Sequence, residues 1–511
     1  MCPKDTLRVD VKRMKIPLRK NPHIYEINLM TWLSMLSKRE GRQISIGSIP
    51  GAEWKKLRKM GIDIVWLMGV WQRSFLSVEI ARNESGLVVE GRAILADFEM
   101  EDISGSPYSV KDYRPDPVFG TTADLEDLSN RLEDEGLLLV LDFVPNHTAC
   151  DHPWIRSNPE HYVRGRKIDN ENCPEGLFRN RGKAGDFCIA HGKDPHFPAW
   201  TDTAQVEYRN SETRKTMAGI MAQLAGWCHG LRCDMAMLVL ESVFRETWAH
   251  ISCERDEGGE FWPGASETFK SVREGGILMA EAYWGKESEL LDRGFDYAYD
   301  KTLYDLLVER DVRSLRGYLQ GPLEYQEKMI RFLENHDEKR ALTVFGQSRI
   351  RCAMVIQSTL PGMRFWQDGQ FEGSQIRVPV QLKRCPEEPL DKDLEDFSKM
   401  LLHEVDHPVF HDGLYDVCST SGWEDNQSHQ NLLAWTWSLG RDRRLIVSNL
   451  SDAPAQGYVK LPSSWSDWDH FHLSDPLKGD CFFRPADAIF DTGLFVDLAE
   501  SDFHFFQVNK R

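Results

Sequence analysis

Residues 137–147 read LLLVLDFVPNH: an apolar run from Leu137 to Val144, interrupted only by Asp142, that closes on Pro145, Asn146 and His147. A short apolar run bounded by turn residues is the pattern of a buried strand. Three later stretches have the same build: Gly230-Leu231-Arg232-Cys233-Asp234, Met279-Ala280-Glu281 and Phe332-Leu333-Glu334-Asn335-His336-Asp337. Each follows or ends an apolar run and carries an acid near the run's end. One acid at a strand end is most simply a cap or a surface charge. Four such segments in fixed order, with Arg-x-Asp in the second and Asn-His-Asp in the fourth, call for a shared purpose.

Working outward, apolar runs alternate with longer amphipathic ones from about residue 24 to 400. The strand expectations are Ile24–Asn28, Ile62–Met68, Leu137–Val144, Gly230–Met235, Gly276–Tyr283, Phe295–Tyr299, Met329–His336 and Gly362–Trp366. Helical patterns such as Thr122–Glu135, Ser211–His229 and Asp391–Leu402 separate them. Eight βα repeats suggest an α/β fold, a closed (β/α)8 TIM barrel. Residues 148–205 follow the third strand with little periodicity, and a stretch that long inside a compact domain is usually functional. Residues 69–121 form a second excursion after strand two. Beyond residue 403 short strands take over, at Asn431–Ser438, Arg444–Asn449, Gly457–Leu461, Cys481–Arg484 and His504–Val508, which predicts an antiparallel β-sandwich. The expected division is a barrel (1–147 and 206–402), an insertion domain B (148–205) and a C-terminal β-sandwich (403–511).

Composition narrows the partners. The 511 residues are 41% hydrophobic and 28% charged, the ordinary globular balance. The formal net charge of −18 repels phosphate backbones, so no nucleic acid and no anionic membrane are expected as partners. No run approaches 18 apolar residues, so no membrane span is expected. The 11 cysteines show no Cys-x-x-Cys pair, which argues for reduced thiols and against a disulfide scaffold or a zinc site. The N-terminal MCPKD leads into a basic stretch without an apolar core, so no signal peptide is expected and a cytoplasmic location is the simplest reading.

The four segments together resemble the signature of the α-amylase superfamily, retaining α-glucoside hydrolases and transglycosylases built on a (β/α)8 barrel. In such a barrel, residues at the C-terminal ends of strands converge on one mouth. Glycoside hydrolysis needs a carboxylate on one face of the anomeric carbon and a carboxylic acid near the leaving oxygen. The resemblance implies Asp234 as nucleophile, Glu281 as acid/base and Asp337 as the third carboxylate, which holds sugar hydroxyls. Arg232, two residues before Asp234 on the same strand face, would pair with it and keep it ionised. Crowding by the two aspartates would keep Glu281 protonated. His147 and His336 would donate to sugar hydroxyls, and Asp142 would sit beneath the site and orient Arg232. Tyr108 matches the family's stacking tyrosine, though a plain turn residue reads equally well there.

Two departures shape the substrate expectation. Many endo-acting members carry Lys-His shortly after the nucleophile; here those positions are the apolar Met237 and Leu238. Exo-acting α-glucosidases often carry Asp after the stacking tyrosine; here it is Ser109. The leading expectation is a hydrolase of short α-glucans or α-glucosides that needs no cofactor. A transglycosylase or sucrose-type glucosyl enzyme is the alternative on the same site. A non-catalytic carbohydrate-binding protein is the remote one. Calcium stays open: Asn146 matches a calcium-binding position, but it is one ligand where the ion takes about six to eight. Oligomeric state is not legible.

Overall fold

The computed structural model describes residues 12–165, 173–182, 185–466 and 468–510. The N-terminal stretch on which the signal-peptide expectation rested falls largely outside these. Eight parallel strands close into a barrel: β1 (His23–Asn28), β2 (Ile64–Met68), β3 (Leu138–Phe143), β4 (Gly230–Cys233), β5 (Ile277–Ala280), β6 (Tyr297–Tyr299), β7 (Met329–Arg331) and β8 (Met363–Gln367). Each pairs with its sequence neighbours, and β8 pairs with β1 to close the ring. All eight coincide with the expected apolar runs. Four of them, β3, β4, β5 and β7, stop short of the expected C-terminal ends, above all β7, which stops at Arg331 and leaves residues 332–337 as a loop.

Alternation within the strands explains the packing. Ile24, Ile64, Trp66, Val140, Met279, Ile330 and Phe365 point inward and fill the barrel. Residues of opposite parity, such as Ile27, Val65, Leu67, Leu139, Leu141 and Leu231, face the surrounding helices. Those helices include α1 (Leu29–Glu40), α2 (Thr122–Asp134), α3 (Ser211–Leu224), α4 (Trp262–Val272), α5 (Ala341–Thr359) and α6 (Lys392–Val405). Gly230 opens β4 where a Cβ would lie 2.7 Å from the Ile277 carbonyl oxygen. The strand that carries Arg232 into the barrel therefore needs a glycine at its foot.

The insertion is tied at both ends. His147–Ala149 pairs antiparallel with Thr203–Gln205, so the segment leaves and re-enters beside itself. Between them Leu177–Gly182 and Gly185–Ala190 form a hairpin. The expectation of reduced thiols fails for one pair: Cys173 and Cys188 form a disulfide, with Cα atoms 5.9 Å apart. The missing Cys-x-x-Cys was a poor guide, because the bridge joins a cysteine on the hairpin's second strand to one in the segment before its first strand, fifteen residues away. The 69–121 excursion is also structured, with helices Phe75–Asn83 and Ser85–Ile94 flanked by an antiparallel pair, Trp71–Arg73 with Val110–Pro115.

The C-terminal region is a sandwich of a six-stranded and a three-stranded antiparallel sheet. Leu432, Ala434, Leu445 and Val447 of the first pack on Ala455, Val459, Leu494, Val496 and Leu498 of the second. All five expected strands are present. Leu414–Cys418, Thr420–Ser421, His470–Ser474 and Leu494–Leu498 were not anticipated.

Candidate active site

The barrel ladder seats the acids. Arg232 lies in register with Asp142 on β3 and Met279 on β5, so all three point into the barrel at one level. Asp234 and Glu281 each sit one residue past their strands. The ladder still holds both, through Asp234 N to Phe143 O (2.8 Å) and Glu281 N to Cys233 O (3.1 Å). The chain then turns sharply at Met235, whose φ of 43° is left-handed and unfavourable for a non-glycine residue. That turn aims the Met235 N–H at Glu281 Oε2, 2.6 Å away. Asp337 arrives from the loop after β7, where Asn335 Oδ1 accepts from the N–H groups of Asp337 and Glu338.

Arg232 is the centre of the constellation and is fully buried. Its Nη1 donates to Asp234 Oδ1 (2.7 Å), and its Nη2 makes a charge contact of 2.8 Å with Glu281 Oε2, outside hydrogen-bond alignment. Asp142 Oδ1 is farther, at 3.8 Å. Asp142 is instead held by Trp66 Nε1 (3.2 Å) and the Gly69 N–H (2.9 Å). The expected Asp142–Arg232 pairing is thus a loose one.

Burial dominates the ionisation of these acids. It pushes Glu281 up to about 7, with Arg232 opposing and Asp234 and Asp337 adding to the rise. The expected crowding by aspartates is present but second to burial. Burial also lifts Asp234 above its ordinary value, against the pull of Arg232. Asp142 is lifted to about 7 by the same cause. Asp337 goes the other way. Its desolvation is overcome by the charged His336 beside it, which holds it at about 2. Its side chain is 54% exposed. Burial disfavours charge on His336, yet Asp337 (3.1 Å from Nε2) and Glu26 (2.5 Å from Nδ1) together keep it protonated well above its ordinary value.

Asp234, Glu281, Asp337, Tyr108 and His147 line one cavity of about 480 Å³. Arg232, Asp142, Asn146 and His336 do not line it, and His336 lines a neighbouring cavity of about 710 Å³. Tyr108 stacks on the His336 ring at 5.4 Å, and its hydroxyl is 2.8 Å from Nε2. His147 is buried, which lowers it to about 4 and leaves a neutral imidazole at the cavity wall. Two residues that the sequence did not single out belong here. Tyr283 donates to Glu281 Oε1 (3.0 Å). Asp202, at the end of the insertion, enters the cavity beside His147 with its carboxylate accepting from Ser77 Oγ (2.6 Å). Ser109 is buried and donates to the Asp202 carbonyl (2.9 Å), so it braces Asp202 and does not face the cavity. Met237 and Leu238 are buried core residues. A carboxyl raised to about 7, a second paired with a buried arginine and a third ionised one share a single cavity, the set of groups that acid-assisted displacement requires.

A sequence profile described as alpha amylase, catalytic domain, matches residues 51–399. Alpha-amylase MalA of Haloarcula japonica is 25% identical over 271 residues, covering 51% of this chain and 35% of that protein. Alpha-amylase 3 of Dictyoglomus thermophilum is 24% identical over 306 residues, covering 56% of this chain and 57% of that protein. The chain thus spans from about a third to somewhat over half the length of these relatives. Among solved structures, a noncanonic maltogenic alpha-amylase, AmyB from Thermotoga neapolitana, superposes with a TM-score of 0.66 at 18% identity, covering 96% of this chain and 99% of that one. At that identity the likeness is one of fold.

The calcium expectation meets a specific obstacle. The Asn146 side chain is buried, and its Oδ1 accepts from Gln205 Nε2 at 3.0 Å. The same nitrogen is 2.8 Å from the Asn146 carbonyl oxygen and 3.2 Å from that of Val206. Gln205 thus places an amide nitrogen among three oxygens, where a cation would otherwise sit. Gln205 Oε1, the other end of the amide, has no hydrogen-bond partner among the described residues. Among the described residues no group of three or more His, Cys, Asp or Glu side chains could hold a metal ion. As arranged, Asn146 Oδ1 is taken by the Gln205 amide nitrogen, and nothing in the described residues supports a calcium ion there. Stripping with EDTA is expected to leave the thermal midpoint within about 1 °C of its starting value. A fall of several degrees that added calcium reverses would show that an ion is held there after all.

Proposed function

The chain belongs to the α-amylase family, and on that premise we propose that it is a retaining α-glycoside hydrolase acting on short α-glucans or α-glucosides. The observation that carries the proposal is one buried guanidinium touching both Asp234 and Glu281. A single fork that reaches both carboxyls supports the close spacing of about 5–5.5 Å that double displacement needs, over the wider gap of an inverting site. In this reading Asp234 attacks the anomeric carbon and forms the glycosyl-enzyme. Glu281 gives its proton to the leaving oxygen, then takes one from the attacking water. Asp337 and His336 hold the hydroxyls of the sugar being cleaved, His147 adds a donor, and Tyr108 offers its ring face. Arg232, held loosely over Asp142, stays charged throughout and keeps the two reacting carboxyls in place.

The preference for short substrates rests on the cavity and on what is missing from it. A volume of about 480 Å³ is that of a single small-ligand site. Met237 and Leu238, at the positions where endo-acting relatives grip the leaving chain, are buried and apolar. The division into a barrel, an insertion domain (148–205) and a C-terminal domain (403–511) is part of the same proposal. No helix among the described residues is long and apolar enough to cross a membrane. The Cys173–Cys188 disulfide favours an oxidising compartment and weighs against the cytoplasmic expectation.

Three outcomes test this reading. Asp234→Asn keeps the shape and removes the nucleophile. It should slow turnover by several orders of magnitude, about 5 kcal/mol or more of barrier. The wild type should release the α-anomer first by NMR. A β-anomer, or near-normal turnover by the variant, sinks the mechanism.

Glu281 sets the pH dependence. It must be protonated to act as acid, so kcat/KM should fall on the alkaline side through about pH 7. Asp234 must be ionised, so the acid limb should lie above the ordinary aspartate value of 3.8. Glu281→Gln should abolish cleavage of natural glucosides yet spare aryl glucosides with an acidic phenol, which leave without protonation. Equal loss on both substrates would remove Glu281 from the acid role.

Chain length tests the substrate class. Each polar contact missing on the leaving side is worth about 0.5–1.5 kcal/mol. Longer chains should therefore add little transition-state binding, and kcat/KM should plateau at about two to four sugar units. A continued rise of about tenfold from maltotriose to maltoheptaose would overturn the short-substrate reading and leave the catalytic assignment standing.

A further inference from the structure

Glu26 belongs to none of the four sequence motifs and does not line the cavity. It sits on β1 at 1% exposure, and its Oε1 is 2.5 Å from His336 Nδ1. Its Oε2 has no hydrogen-bond partner among the described residues. A buried carboxylate with one polar partner is costly, and packing alone would be better served by an apolar side chain.

We propose that Glu26 is a positioning residue that fixes the His336 ring and its charge from behind, so that the other ring nitrogen serves Asp337 and the bound sugar. The proposal rests on the hydrolase reading above and adds to it a residue that never touches substrate. The geometry leaves the ring little freedom. Trp66 meets it edge-on at 5.5 Å, and Tyr108 stacks on its face at 5.4 Å. Nδ1–H donates to Glu26, which turns Nε2 towards Asp337 Oδ2 at 3.1 Å and the Tyr108 hydroxyl at 2.8 Å. With a proton on both nitrogens, His336 is an imidazolium between two carboxylates. It can then hold Asp337 ionised and donate to a sugar hydroxyl displacing Tyr108.

The other charges near the ring come from neighbouring strands. Asp142 on β3 and Asp234 past β4 favour the charged ring. Glu26 differs from these in touching the ring directly and having no other partner. Outer partners that orient a functional histidine commonly change activity by about ten- to a hundredfold when removed.

The test is a double-mutant cycle with pH profiles. Glu26→Gln keeps the shape and an acceptor oxygen but removes the charge. With Glu281 setting the wild-type limb near 7, it should bring loss of the His336 proton below that limb, lowering kcat/KM at pH 7.5 by about tenfold and moving the alkaline limb at least about one unit towards acid. In a His336→Gln background the same change should cost less than about twofold, because Glu26 acts through that ring. Glu26→Asp keeps the charge and should leave the limb where it is, even where rate is lost, which separates charge from packing. Equal losses in both backgrounds, an unmoved limb in Glu26→Gln, or an equally moved limb in Glu26→Asp each overturn the proposal. Failure of the hydrolase reading shows up separately, as an active Asp234→Asn enzyme.

Discussion

One buried guanidinium organises this molecule. Arg232 has no exposed surface, and it lies within 5.2–5.7 Å of the ring centres of Trp66, Tyr108 and Tyr299. A lone arginine inside a barrel would be ruinous, since a buried cation must be paired. Here it is paired with Asp234 and Glu281 and sits opposite Asp142. Removing any of these partners would leave charge stranded in the core. The barrel's register, with Arg232 level with Asp142 and Met279, is what brings the partners together. The fold and the candidate site are therefore not separable layers, because the ion cluster is part of the barrel's filling.

Much of this was legible in the sequence, for a physical reason. Strands buried on both faces read as unbroken apolar runs, so an acid or arginine inside one stands out. Arg232, Asp234, Glu281 and Asp142 were visible that way, as were all eight barrel strands. Residues lacking that contrast were not. Glu26 sits in HIYEIN, where alternating polar and apolar residues hide it. Asp202 follows Thr201 in an aperiodic stretch, and only the pairing of His147–Ala149 with Thr203–Gln205 places it at the cavity. The end of β7 was overextended because Phe332 and Leu333 continue the apolar run, although the chain has already left the ladder at Arg331. The Cys173–Cys188 pair joins the hairpin's second strand to the segment preceding its first, a contact that no spacing rule anticipates.

The two excursions from the barrel do more than fill space. Ser77 in the first donates to Asp202 at the end of the second, and Ser109 donates to the Asp202 carbonyl. Tyr108 belongs to the first excursion and stacks on His336 from the loop after β7. The cavity walls are thus cross-linked by polar contacts between segments far apart in sequence. Gln205 has a comparable place at the root of the insertion, where its amide nitrogen bridges Asn146 to Val206. Neutral hydrogen bonds there do the bracing that a cation could otherwise supply.

The last question is how one site keeps an acid protonated beside a nucleophile that must be ionised. Five carboxyls, from Glu26, Asp142, Asp234, Glu281 and Asp337, surround two cations, Arg232 and His336. In a water-poor interior two positive charges cannot sustain five negative ones, so some carboxyls must retain protons. The geometry decides which. Asp337 has a charged imidazole against it and remains ionised to about 2. Asp234 has the best-aligned arm of Arg232 at 2.7 Å. Glu281 meets the other arm without hydrogen-bond alignment and is raised to about 7, and Asp142, at 3.8 Å, is raised likewise. Burial thus raises both reacting carboxyls, and the guanidinium opposes that rise more fully at Asp234, where it also donates a hydrogen bond, than at Glu281.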